Sequence, residues 1–175
     1  FLMTTCQEKK VNISLPSLRI DAFSLDVMGK VQDVKKSSLT FAPEAGSQRL
    51  RNVINKGLTE EVILKGAGLA FEGGWSRVKL YFMLGLPTET DEDVLGIADL
   101  AARVMHTWRE SASNKNRGVR ITVSTSWFVP KPHTAFQWEP QIPKEEYERR
   151  VKLLRENMLT KSVTYNWHDS DTSYM

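Results

Sequence analysis

Apolar positions along the chain change their spacing repeatedly, and each change predicts an element. "VNISL" (11–15) reads as a short strand stopped by Pro16. "DAFSLDVMGKVQDV" (21–34) places Phe23, Val27, Val31 and Val34 at helical steps, with Gly29 weakening the run. "SSLTFA" (37–42) is rich in strand formers and is closed by Pro43. "SQRLRNVIN" then sets Leu50, Val53 and Ile54 on one helical side, with Ser47 or Gly46 as N-cap and a stop at Lys56-Gly57. "TEEVILKGAGLAFE" restarts a helix with Thr59 as N-cap and Glu60 and Glu61 in its first turn, and Gly73-Gly74 ends it. "RVKLYFML" (77–84) is almost continuously apolar, the pattern of a strand covered on both faces. A long helix follows over 91–112, a strand over 119–129, a helix over 143–158 with Pro143 near its first position, and a last strand over 162–167.

Strands separated by helices imply parallel pairing through right-handed crossovers, so the fold class is α/β. Two architectures fit. A doubly wound sheet binds its ligand where the strand order reverses. A TIM-type (β/α) barrel builds its site from the loops at the carboxyl ends of its strands. Five visible strands are too few for a full barrel of eight, so a barrel here is a partial one.

Composition narrows the function classes. The 175 residues are 41% hydrophobic and 26% charged, ordinary values for a globular domain. No apolar run reaches the roughly 20 residues of a membrane span, and no secretory signal is visible, which predicts a cytoplasmic protein without membrane contact. Cys6 is the only cysteine, which excludes a disulfide framework and a multi-thiolate metal site within one chain. His106, His133 and His168 lack zinc-type spacing. The net charge of +3 is scattered over helix faces.

Chemistry is expected where strands end. In "LGLPTETD" (84–91), Thr88 or Thr90 can cap the next helix, with Asp91 or Asp93 closing a capping box. Acids there suit the helix dipole but would repel phosphate, so a ligand on that side is neutral or cationic. In "APEAGSQR" (42–49), Glu44 directly follows a strand and needs a partner, either Arg49, Arg51 or helix N–H groups, or else a ligand diol or ammonium. "WFVPKPHTAFQWEP" holds Trp127, Phe128, Phe136 and Trp138, which either plug the end of the core or stack a purine.

Taken together, "PSLRIDAF", "TFAPEAGSQRLRNVINKGLTEE", "VKLYFMLGLPTETDED" and "FVPKPHTAFQWEP" resemble, in this order, the radical S-adenosylmethionine (radical SAM) enzymes. They look most like the cobalamin-binding branch with an extra C-terminal domain. Related RNA-modifying methylthiotransferases use a Gly-x-Pro-Gly-Glu-Thr turn; Thr88 stands here where glycine is usual. The resemblance implies a partial barrel with S-adenosylmethionine at the carboxyl ends of the strands. It assigns Glu44, Ser47 and Arg49 to the ribose and methionine part of that cofactor. Met83, Gly85 and Pro87 would flank the adenine, and Phe128 to Pro130 would supply apolar and backbone contacts. The acids around Glu89 would suit a sulfonium cofactor.

The family's C-x-x-x-C-x-x-C loop, which holds a four-iron four-sulfur cluster, has no counterpart in this sequence. The resemblance therefore implies a single domain, residues 1–175, forming the C-terminal portion of the barrel. Its first strand–helix units, the cluster and any cobalamin domain would belong to the missing N-terminal part of the same polypeptide. Such a piece alone is expected to be inactive, and its open sheet edges predict edge-to-edge pairing in a homodimer or cover by its own ends. The competing expectation is a non-catalytic α/β module that binds RNA.

Overall fold

The computed structural model describes residues 38–169, apart from Asn114, Arg117 and Leu159. The expected strand at 11–15 and helix at 21–34 lie outside the described residues. Within them the chain runs β1 (Leu39–Glu44), α1 (Gln48–Val53), α2 (Glu60–Glu72), β2 (Arg77–Leu84), α3 (Asp91–Ser111), β3 (Arg120–Trp127), α4 (Lys144–Asn157) and β4 (Val163–Trp167). The four strands form one parallel sheet in the order β1-β2-β3-β4. Strand order follows chain order, so no topological switch point exists among the described residues. This is the winding of a partial (β/α) barrel rather than of a doubly wound sheet.

Local chemistry sets the helix ends. Ser47, Thr59 and Thr90 cap α1, α2 and α3 with their side-chain oxygens, and Asp93 completes the capping box with Thr90. Pro143 sits at the N-cap of α4 and offers no side-chain cap. Asn55, at φ 53°, takes the left-handed turn that stops α1, earlier than the Lys56-Gly57 signal suggested.

Among the described residues, helices cover one face of the sheet. Along β2 burial alternates: Val78, Leu80, Phe82 and Leu84 are buried, while Arg77, Lys79 and Tyr81 are exposed and Met83 is half-buried. The same alternation runs along β3, where Ile121, Val123, Thr125 and Trp127 are buried. Those faces meet Ile97, Leu100 and Val104 of α3, Ile63 and Phe71 of α2, and Tyr147, Val151 and Leu154 of α4 in one core. Tyr147 stacks on Trp127 at 4.7 Å between ring centroids. The expectation that 77–84 is covered on both faces is thus corrected: its apolar run owes its continuity to Tyr81 and Met83, which lie on the other face. Pro43 does not end β1 but lies inside it, where the register with β2 shifts between Phe41 and Glu44. A bulge tolerates the missing N–H donor.

Candidate functional site

Parallel strands leave their carboxyl ends on one edge, and the segments after them emerge side by side. Glu44 closes β1 opposite Phe82, Gly85 follows β2, and the Phe128 N–H after β3 donates to the Leu84 carbonyl at 2.9 Å. Glu44, Pro87 and Pro130, distant in sequence, therefore share one edge of the sheet.

The loop after β1 is fixed by Arg51, which is fully buried. Its guanidinium donates to the carbonyls of Ala45, Gly46 and Leu58 at 2.9–3.1 Å. Burial lowers its pKa from the ordinary value. A Cβ on Gly46 would lie 2.4 Å from the backbone of Asp93 and Ile97, so only glycine lets this loop rest on the first turns of α3. Glu44 has a φ of 68°, strained for a residue with a side chain, and its carboxylate meets Lys56 at 3.2 Å. Neither Arg49 nor Arg51 is its partner.

The loop after β2 is a tight turn. The Glu89 N–H donates to the Leu86 carbonyl at 3.0 Å, with Pro87 second and Thr88 third at φ 66°. That combination marks a type II turn, whose third position favours glycine. Arg49 grips the turn through the Thr88 hydroxyl (3.2 Å) and carbonyl (2.7 Å). It also forms an ion pair with Asp93. The Ser47 hydroxyl donates to the same Asp93 carboxylate, and the Thr90 N–H donates to it at 2.8 Å. Burial works against the charged form of Asp93, but the bonds from Arg49, Ser47 and Thr90 prevail and hold its carboxyl at about 2. Ser47 and Arg49 thus help build the edge through Asp93 and Thr88, with half of the Arg49 side chain left exposed.

Glu89 is almost fully buried. It accepts the Gly85 N–H at 2.6 Å and Arg150 of α4 at 2.5 Å. Burial pushes its carboxyl up to about 7, against the pull of Gly85 and Arg150. Asp91 pairs with Arg149 at 2.6 Å, and the bond holds its pKa below the ordinary value. Three of the four acids at this helix start are therefore matched by arginines, which removes the charge-sign reason for a cationic ligand.

Phe128 joins Ala45, Leu50 and Leu86 in a small second core, with Met83 and Phe136 packed against it. Phe128 and Phe136 meet edge-on at 6.2 Å. The aromatic loop thus plugs the sheet end, and only Trp138, 89% exposed, stands clear of it. Met83 and Pro130 are half-buried beside the plug. Of the expected cofactor contacts, Glu44, Met83, Pro87 and Pro130 keep partly open surface at this edge, while Gly85 and Phe128 are buried beneath it.

Residues 2–101 match the family model of the radical SAM superfamily. The chain belongs to the radical SAM superfamily. It is also 41% identical over 129 residues to an uncharacterized protein of Methanocaldococcus jannaschii, an alignment that covers 74% of this chain and 26% of the relative. The chain spans about a quarter of the length of that relative. Among the described residues of this radical SAM chain, no helix is long and apolar enough to cross a membrane.

The residues that sequence reasoning missed are those that act across the fold. Arg149 and Arg150 carry no motif, and the adjacent basic pair in "YERRVK" was the only available signal. The turn-gripping role of Arg49 depends on Thr88, 39 positions away.

Proposed function

We propose that this chain forms the carboxyl-terminal part of the barrel of a radical SAM enzyme and contributes one wall of its S-adenosylmethionine site. The observation that carries the reading is the shared strand edge, where Glu44 ends β1 and Gly85 and Phe128 directly follow the adjacent parallel strands β2 and β3 in a chain of this family. Glu44 is placed to accept hydrogen bonds from ribose hydroxyls or the methionine ammonium, with Lys56 as the partner it would exchange. Met83 and Pro130 offer apolar surface to the adenine. Ser47 and Arg49 position the edge through Asp93 and Thr88. When bound beside an iron–sulfur cluster, the cofactor supplies the electrophilic sulfonium that such enzymes cleave reductively.

The residues present do not fit the cluster itself. One cysteine cannot supply three thiolates, and no group of three or more ligating side chains occurs among the described residues. We place the cluster ligands elsewhere in the full polypeptide, and any cobalamin with them; Thr88 in the glycine position of the turn is what favours the cobalamin-binding branch. A titration of the chain with S-adenosylmethionine, followed by amide chemical shifts, tests this reading. Weak binding with shifts concentrated near Glu44, Gly85 and Phe128 is expected. Shifts elsewhere, no binding, or a stoichiometric iron–sulfur chromophore after anaerobic reconstitution of this chain overturns it.

A further inference from the structure

Among the described residues, one face of the sheet is covered by no helix, and it is ordered in rows. Parallel register sets Arg77 beside Arg120, then Thr40, Lys79, Thr122 and Thr164 abreast, then Tyr81, Ser124 and Asn166, then Met83 with Ser126. Charge is confined to the amino-terminal rows, and hydroxyl, amide and thioether groups fill the rest. Two arginines side by side on neighbouring strands repel, and a lysine two residues on adds to the repulsion. All three cations are exposed, and none is paired with a carboxylate among the described residues. Among the described residues Arg49, Arg103, Arg149 and Arg150 each hold an acid; the row of Arg77, Lys79 and Arg120 gathers three cations that do not.

We infer that Arg77, Lys79 and Arg120 form an anion subsite that receives a phosphate or carboxylate of the substrate. The inference rests on the proposed cofactor edge. Lys79 lies four residues and Arg77 six residues below Met83, or roughly 13–20 Å at the rise of an extended strand. The substrate is then elongated, with its reacting end at the carboxyl edge, an uncharged polar middle lying over Tyr81, Ser124 and Asn166, and its anionic end on the cations. Arginine suits both acids because its planar fork donates two bonds to either.

Inorganic pyrophosphate and citrate, at low millimolar concentration and matched ionic strength, serve as the phosphate and carboxylate probes in thermal unfolding and amide-shift titrations of the chain. Saturable stabilisation by one probe, with shifts near 77–79 and 120–122, is expected and names the acid. The variants Lys79→Gln and Arg77→Gln/Arg120→Gln should lose roughly tenfold or more of that affinity. They should unfold no more easily than the parent, and S-adenosylmethionine shifts at Glu44 should be unchanged. Retention of that response at Glu44 separates failure of this inference from failure of the cofactor reading. The subsite is overturned if the probes do not saturate, if stabilisation survives in both variants, or if the variants are clearly less stable, because the cations then serve the chain's own acids. Oligonucleotide binding with a steep salt slope and no response to either small anion also overturns it, in favour of a nucleic-acid face.

Discussion

Arg150 on α4 donates to the Glu89 carboxylate at 2.5 Å, across 61 positions of sequence, and only 11% of the arginine side chain and 1% of the glutamate is exposed. The pair joins the turn after β2 to the last helix. Removing one member of a buried pair leaves the other uncompensated. Arg150→Leu should cost about 3 kcal/mol in urea unfolding, and the double variant Arg150→Leu/Glu89→Leu should recover part of that loss. A double variant no more stable than the single one would show that the pair is not coupled.

Glu89 also sets a pH dependence. Its pKa rises from the ordinary 4.5 to about 7 in the folded chain. The folded state then holds a proton that the unfolded state has released, so the contribution of Glu89 is fully present below about pH 4.5 and is lost as pH rises to about 7. The change amounts to about 3 kcal/mol across that window. Urea midpoints measured from pH 5 to pH 8 should fall in the parent and stay flatter in Glu89→Gln.

Asp93 behaves oppositely although it lies one helical turn away. Its pKa is lowered from 3.8 to about 2, so its contribution is present above about pH 4 and disappears as pH falls toward 2. Asp93→Ala removes the acceptor shared by Ser47, Arg49 and Thr90 and should cost about 2 kcal/mol at neutral pH. It should also loosen to hydrogen exchange the amide of Glu89, whose N–H closes the turn onto the Leu86 carbonyl, because Arg49 loses its anchor.

Thr88→Gly tests the strained turn. Relief of the positive φ should stabilise the chain by about 1 kcal/mol, offset in part by loss of the Arg49 bond to the hydroxyl. Thr88→Val keeps the strain and loses the same bond, so it should be the less stable of the two by thermal unfolding.

Gly46→Ala should be severely disruptive, about 3 kcal/mol or more, because its Cβ meets backbone that cannot move aside. Gly57→Ala, with open space but a φ of 63°, should cost only about 1 kcal/mol. Circular dichroism melts of the two variants compare a packing constraint with a conformational one.

What the sequence made legible follows the range of the interactions. The Thr90–Asp93 capping box, the Thr59 cap and all four described strands are local patterns, and the structure contains them. The shared edge followed from strand order alone. The partners of Glu44, Glu89 and Asp93 were not legible, because Lys56, Arg150 and Arg49 come together only once helices pack. One-sided cover was hidden for a different reason. Tyr81 and Met83 are apolar in type yet lie on the open face, so residue class alone could not tell the two sides of β2 apart.

That division of the sheet separates two kinds of selection. Substitutions at Val78, Leu80 or Ile121 alter the interior that the helices close over and are felt by the whole fold. Substitutions at Lys79, Ser124 or Asn166 touch no such interior. Among the described residues, the side of the strands that no helix covers can therefore be rewritten while the architecture stays as it was.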